Sequence, residues 1–305
     1  MPTTLDSLLD AAKPIQRIAS GFRFTEGPVW FPEHGGHLIF SDIPANTMYR
    51  WSPTTGVEVH RKPSGYDRND YPDGQEVGSN GLTRDHQGRL NVCEHGNRRV
   101  TRIEHDGITT VLASHWQGKR LNSPNDVVYK SDGALYFTDP PYGLLGQDKD
   151  PAKELPFNGV YRLYNNNLEL LTDNLTRPNG LAFSPDEKYL YIANSDAKRK
   201  IWMRYRVERD GNLTEAEVFF DATAITDEGL PDGMKVDRDG NIFATGPGGV
   251  LVFTPAGDHI GTIRIPETPA NVGWGDEDGK SLYITANTSV YRLRTVSGGV
   301  PAGSS

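Results

Sequence analysis

The sequence is poor in cysteine and has no long apolar run. Its single thiol, Cys93, has no partner for an internal disulfide, so nothing calls for oxidative maturation. No stretch approaches the roughly 18 apolar residues needed to span a bilayer as a helix. The start, MPTTLDSLLDAAKPIQ, lacks a basic segment followed by an apolar one, which predicts a cytoplasmic protein with no membrane partner. Positive charge is short as well: 32 Lys and Arg stand against 40 Asp and Glu, a formal −8. Without a Lys/Arg run to track a phosphate backbone, nucleic acid is excluded as a partner. Helical patterning is confined to residues 5–13. Turn chemistry is abundant, with 33 Gly and 21 Pro in 305 residues, as expected of a globular chain of many short strands.

One pattern repeats along the whole chain. TEGPVW from Thr25, SNGLTR from Ser79, PNDVVY from Pro124, PNGLAF from Pro178, PDGMKV from Pro231 and ANVGWG from Ala270 align, and the second residue is always acidic or an amide: Glu26, Asn80, Asn125, Asn179, Asp232 and Asn271. After each comes a polar turn and a β-rich run: HLIFSD, RLNVCEH, ALYFTDP, YLYIANS, NIFATG and SLYITAN. Third short strands follow in four units (MYRW, VTRIE, VYRLY, WMRYRV), and the units recur at about 40 to 55 residues, the length of a four-stranded blade. The expected fold is all-β, a six-bladed β-propeller forming a single domain over 1–305. A pair of β-sandwiches would use the same strands but would have no reason to repeat one polar position six times. Residues 1–20 are expected as a short extension packed across the outside, and 295–305 as a frayed tail. Two insertions, residues 57–78 and 142–158, are placed to form a rim or lid.

In a propeller the first strand of each blade lines the central channel, so the six repeated residues form a ring at one end of it. Strand direction returns Asp42, His95, Asp139 and Asn194 to the same face as a second tier. Asn and Asp also cap turns, which would explain any one of these residues. Six in register, with Glu in the first, exceed that explanation because Glu is a poor turn residue. Six oxygen-bearing side chains, two of them carboxylates, attract a cation. Oxygen donors favour Ca²⁺, Mg²⁺ or Mn²⁺, and Ca²⁺ best suits mixed acid and amide ligands.

These motifs carry a resemblance. TEGPVW, SPNDVVYKSDGALYFTDPPYG, RPNGLAFSPDEKYLYIAN and PDGMKVDRDGNIFATG resemble the bacterial gluconolactonase branch of the SMP-30/gluconolactonase/luciferin-regenerating family of calcium propellers, from about residue 20 to about 294. The resemblance implies metal ligands at Glu26, Asn125, Asn179 and Asp232, a Ca²⁺ cofactor with Mn²⁺, Mg²⁺ or Zn²⁺ as substitutes, and a small-molecule lactone as substrate. The animal branch carries an Arg that helps to hold substrate where this chain has Ser123.

The implied chemistry is hydrolysis of a sugar lactone such as glucono-1,5-lactone, with the cation polarising the carbonyl. Asp232 is the expected base and His95 the alternative. Asn80, His95, Ser123 and Asn271 are assigned to substrate or water contact. Two other readings use the same residues: a phosphotriesterase-like hydrolase, and a non-catalytic propeller that binds a ligand on this face. There is no GxSxG or HExxH to support another nucleophile scheme.

Overall fold

A computed structural model describes residues 3–68, 70–300 and 302–303. Each repeat folds into a four-stranded antiparallel sheet, and six such sheets stand around a central channel as a β-propeller. The innermost strands are Thr25–Phe31, Ser79–Arg84, Val127–Tyr129, Pro178–Phe183, Met234–Val236 and Pro269–Gly275. They define blades 1 to 6 in chain order. The helical patterning near the start yields one short helix, Leu5–Leu8, whose N-cap is the Thr4 hydroxyl.

The order of strands shows how the ring closes. Blade 6 takes its outermost strand from the other end of the chain: Gln16–Ser20 pairs antiparallel with Ser289–Arg294. Residues 16–20, expected as part of an extension packed across the outside, are therefore the outermost strand of blade 6. Closing the circle in this way leaves neither terminus holding a blade alone. At the same seam the Thr25 hydroxyl of blade 1 donates to the Ser289 carbonyl at 3.0 Å.

Alternation within the strands sends apolar side chains to both faces of each blade, and neighbouring blades bury them against one another. The result is six hydrophobic cores among the described residues, one at each blade interface. Between blades 1 and 2, for example, Val29, Phe31, Ile39 and Met48 pack on Leu82, Leu90 and Val92. Cys93 is fully buried in the core between blades 2 and 3, as an apolar packing residue.

Nearer the channel, apolar packing gives way to hydroxyl stitching. Near the end of the second strand of a blade, Ser41, Thr138 and Thr245 donate to the Asn80, Asn179 and Ala270 carbonyls of the next blade at 2.8, 2.8 and 2.7 Å. The blades approach closely here, which explains the residue after the ring position. A Cβ on Gly27 or Gly180 would collide with the Asn80 or Asp232 carbonyl oxygen. Blades 3 and 6 depart from glycine there, with Asp126 and Val272, and the Asp126 side chain packs against Gly81.

The insertions are shorter than the sequence suggests. Gly56–Arg61 is the outermost strand of blade 1, so the first insertion proper begins after Arg61. The second lies between strands Leu135–Asp139 and Gly159–Tyr164 of blade 3 and holds one short turn of 3₁₀ helix, Gln147–Lys149.

The end of the chain crosses the far mouth of the channel. Gly299 bridges Asp237, the Arg238 amide donates to the Gly298 carbonyl at 3.0 Å, and both glycines are buried. The expected fraying does not describe residues 295–299.

Candidate active site

The ring residues stand where the innermost strands begin, at what we call the top of the channel. Glu26, Asn80, Asn125, Asn179 and Asp232 line one cavity of about 520 Å³. Asn271, the sixth, stands behind it. Its Nδ2 donates to Glu26 Oε2 at 2.9 Å while its Oδ1 accepts from the Val272 amide at 2.8 Å. The Gly27 amide donates to the same Glu26 oxygen at 2.5 Å. Glu26 is thereby aimed by two donors, and Asn271 serves to orient it.

Electrostatics sets these carboxylates apart. Burial, then repulsion from Asp126, holds the Glu26 carboxyl up at about 8. Asp232 is raised well above the carboxylate range, first by burial and then by Glu26, Asp126 and Glu76, against a hydrogen bond from Asn179. Asp126 is 2 % exposed; its Oδ1 accepts from the Val127 amide, while its Oδ2 has no partner among the described residues. The repeat did not single out this third carboxylate, because it occupies a position where most blades need glycine. Asn80 Oδ1 is likewise a buried oxygen without a partner. Three acids and three amides converge here, with two oxygens unsatisfied, and none of the acids forms an ion pair among the described residues. That donor set fits a hard divalent cation.

The second tier behaves differently from expectation. Asp42 accepts from the Arg23 and Phe24 amides at 3.1 and 3.2 Å, and Asp139 from the Asn122 and Ser123 amides at 2.7 and 2.8 Å. Asn194 accepts from the Arg177 amide at 2.8 Å. In these three blades the tier clamps the backbone two or three residues ahead of the ring position. It builds the entry to the ring and does not line the cavity. Burial lifts Asp139 to about 7 despite its two amide donors.

His95 and Ser123 also lie off the cavity. His95 is fully buried, its Nε2 is 3.1 Å from Asn80 Nδ2, and its ring lies against the Glu76 main chain. Burial lowers it to about 4, so it is a neutral imidazole that fixes Asn80. The Ser123 hydroxyl donates to the Pro140 carbonyl at 2.6 Å and accepts from the Gly143 amide at 2.9 Å, tying down the second insertion.

The rest of the cavity wall comes from outside the repeat positions. It includes Glu76 from the first insertion, Tyr142 and Gln147 from the second, and Arg177, Thr176, Ser195 and Asp196 from blade 4. Arg177 stands two residues ahead of Asn179. It pairs with Asp148 of the second insertion and donates to the Thr176 carbonyl at 2.8 Å. The sequence offered one signal for it, the Arg of the RPNG motif, and none for Glu76.

Comparison with known proteins follows this geometry. A family model described as the SMP-30/gluconolactonase/LRE-like region matches residues 24–288, which contain the entire ring. A gluconolactonase of Zymomonas mobilis is 42% identical over 306 residues, covering 95% of this chain and 84% of that protein. A pentonolactonase of Haloferax volcanii is 27% identical over 86% of this chain and 81% of its own length. Among solved structures, a gluconolactonase of Xanthomonas campestris superposes with a TM-score of 0.82 at 33% identity, covering 96% of this chain and 93% of that one.

Proposed function

The chain belongs to the SMP-30/gluconolactonase/LRE-like family and is a lactonase, and we propose that it uses a divalent cation, Ca²⁺ in our reading, to open a sugar lactone such as glucono-1,5-lactone to the aldonic acid. The observation that carries the cation is the convergence of Glu26, Asn125, Asn179 and Asp232 on one cavity, with buried carboxylates that repel one another. These four residues would hold the ion, with Asp126 beneath them. When bound, a divalent cation would supply Lewis-acid polarisation of the lactone carbonyl.

The remaining work falls to the protein's own groups. Asn271 and Gly27 hold Glu26 in one orientation, so the carboxylate needs no rearrangement during turnover. Asp232 opens onto the cavity and receives a hydrogen bond from Asn179, which leaves its other oxygen free to take a proton from the attacking water. Asn80, fixed by His95, presents an amide to the substrate. Thr176, Ser195, Gln147 and Arg177 give the wall polar groups suited to a polyhydroxylated ring, and Phe24 and Leu230 give it apolar surface for the ring's C–H face. A hydrophobic phosphotriester would leave most of those polar groups unpaired.

Chelation tests the reading, and pH sharpens it. EDTA should abolish lactone hydrolysis in a pH-stat and Ca²⁺ should restore it; full turnover by protein shown metal-free by elemental analysis would overturn the cation. The Glu26 carboxyl is raised in the folded state, so its contribution to folding is complete below the ordinary range near 4.5 and is lost as pH rises through about 8. A cation competes with those protons. The gain in melting temperature from Ca²⁺ should therefore widen between pH 5 and 9, and a gap that is constant or shrinks counts against these ligands.

A further inference from the structure

Glu76 lines the same cavity as the ring but belongs to none of the six repeats. Several other acids of the fold are held by donors: Asp42 and Asp139 each accept two backbone amides, Glu94 accepts from Asn97, Arg99 and Thr101, and Asp196 accepts from Thr176 and Lys198. The Glu76 carboxyl accepts no hydrogen bond and meets no cation among the described residues, and burial alone raises it. Its main chain, by contrast, is held firmly. The Val77 amide donates to Gln75, Gly78 donates to Ile43, and Gly96 donates to the Val77 carbonyl, at 3.0 Å each. The His95 ring lies against the Glu76 main chain, and the carboxyl is near enough to Asp232 and Tyr142 to raise both. A half-buried carboxyl that faces the cavity and has no partner in the fold is free to meet a substrate.

We infer that Glu76 is the acid of the ring-opening step. This rests on the lactonase reading and assigns its second proton transfer. Water's oxygen bonds to the carbonyl carbon and gives a proton to Asp232. The acyl C–O bond then breaks, its electron pair passes to the ring oxygen, and Glu76 protonates that oxygen to an alcohol. Glu76 regains a proton from solvent and Asp232 releases one, so the net reaction is lactone plus water to hydroxy acid. Position divides the roles: Glu26 and Asp232 belong to the ring and Asp196 is held by Thr176 and Lys198, whereas Glu76 is the wall carboxyl outside the ring with no hydrogen-bond donor among the described residues.

The leaving group provides the test. An aliphatic alkoxide needs a proton as it departs; a phenolate, whose acid has a pKa of about 10, needs little help. Glu76→Gln should slow an aliphatic δ-lactone by roughly 10²–10⁴-fold, yet slow dihydrocoumarin or phenyl acetate by less than about tenfold. Glu76→Ala should regain part of its aliphatic-lactone rate as acetic acid is added, because an external acid fits the space left. Melting temperature and Ca²⁺ binding by calorimetry, both unchanged, report that the variants fold. Equal losses on both substrate types without acid rescue, or a full rate on the aliphatic lactone, overturn the assignment while leaving the lactonase intact. Wild-type protein that opens no lactone at all would instead sink the activity on which it rests.

Discussion

The same six strands make both mouths of the channel, yet the two mouths have opposite character. Where the strands begin, the cavity wall carries Glu26, Glu76, Asp196 and Asp232 against one cation, Arg177. Where they end, a second cavity of about 340 Å³ is lined by Trp30, Tyr129, Phe183 and Trp274, with Arg84, Lys235 and Arg238 against Glu187 and Asp237. The bottom is also crossed by Val300, Ala302 and Gly303 of the tail. The difference arises from the order of residues along each innermost strand. A polar residue opens the strand, apolar and aromatic residues follow, and six copies in register concentrate each kind at its own end. Acids therefore gather at the top, and aromatic side chains with a slight excess of cations at the bottom.

The largest effects should come from cutting the top. Glu26→Gln and Asp232→Asn should both weaken Ca²⁺ binding, and saturating Ca²⁺ should rescue Glu26→Gln. Asp232→Asn should stay slow by about 10²–10⁴-fold in kcat even when calorimetry shows its site full. Its recovery to a near-wild-type rate would remove Asp232 as the base. A smaller effect belongs to the rim: Arg177→Ala should raise KM about tenfold with a lesser change in kcat, the size of losing one charged hydrogen bond to substrate. An unchanged KM would mean that Arg177 serves only to hold Asp148 and the second insertion. The smallest tests the bottom. Truncation after Ser297 removes the Gly298 and Gly299 contacts, and it should lower the melting temperature by about 2–4 °C while kcat stays within twofold. A large loss of kcat would show the two mouths to be coupled.

How much of this was legible in the sequence depends on whether a residue belongs to the repeat. The six ring positions could be read because each opens an innermost strand, and the structure brings five of them to one cavity with Asn271 aiming the first. Asp42, Asp139 and Asn194 lie one strand away at the same height, the tier around the ring that the sequence predicts, but the sequence did not show that they turn away from the cavity. Their carboxylates and amide turn back onto preceding amides, a choice made by local hydrogen bonding. Glu76 escaped the repeat because insertions follow no period, and its place depends on bonds that join the neighbouring Val77 and Gly78 to Gly96 and Ile43, in the two blades that the insertion joins. Residues 16–20 were misread for a related reason. QRIAS has no strong pattern of its own, and only the free edge of Ser289–Arg294 makes it a strand.

That last pairing also governs the order in which the molecule can be made. On the ribosome, Gln16–Ser20 emerges well before Ser289–Arg294 and must remain unpaired until that strand has been synthesised. Until then the seam between blades 6 and 1 is open, and across that seam the Asn271 amide reaches Glu26. A nascent chain lacking its last blade therefore has every proposed ligand but an unaimed first carboxylate. Tight binding of the proposed Ca²⁺ should appear only once blade 6 has been made and paired, which makes it a reporter of ring closure during synthesis.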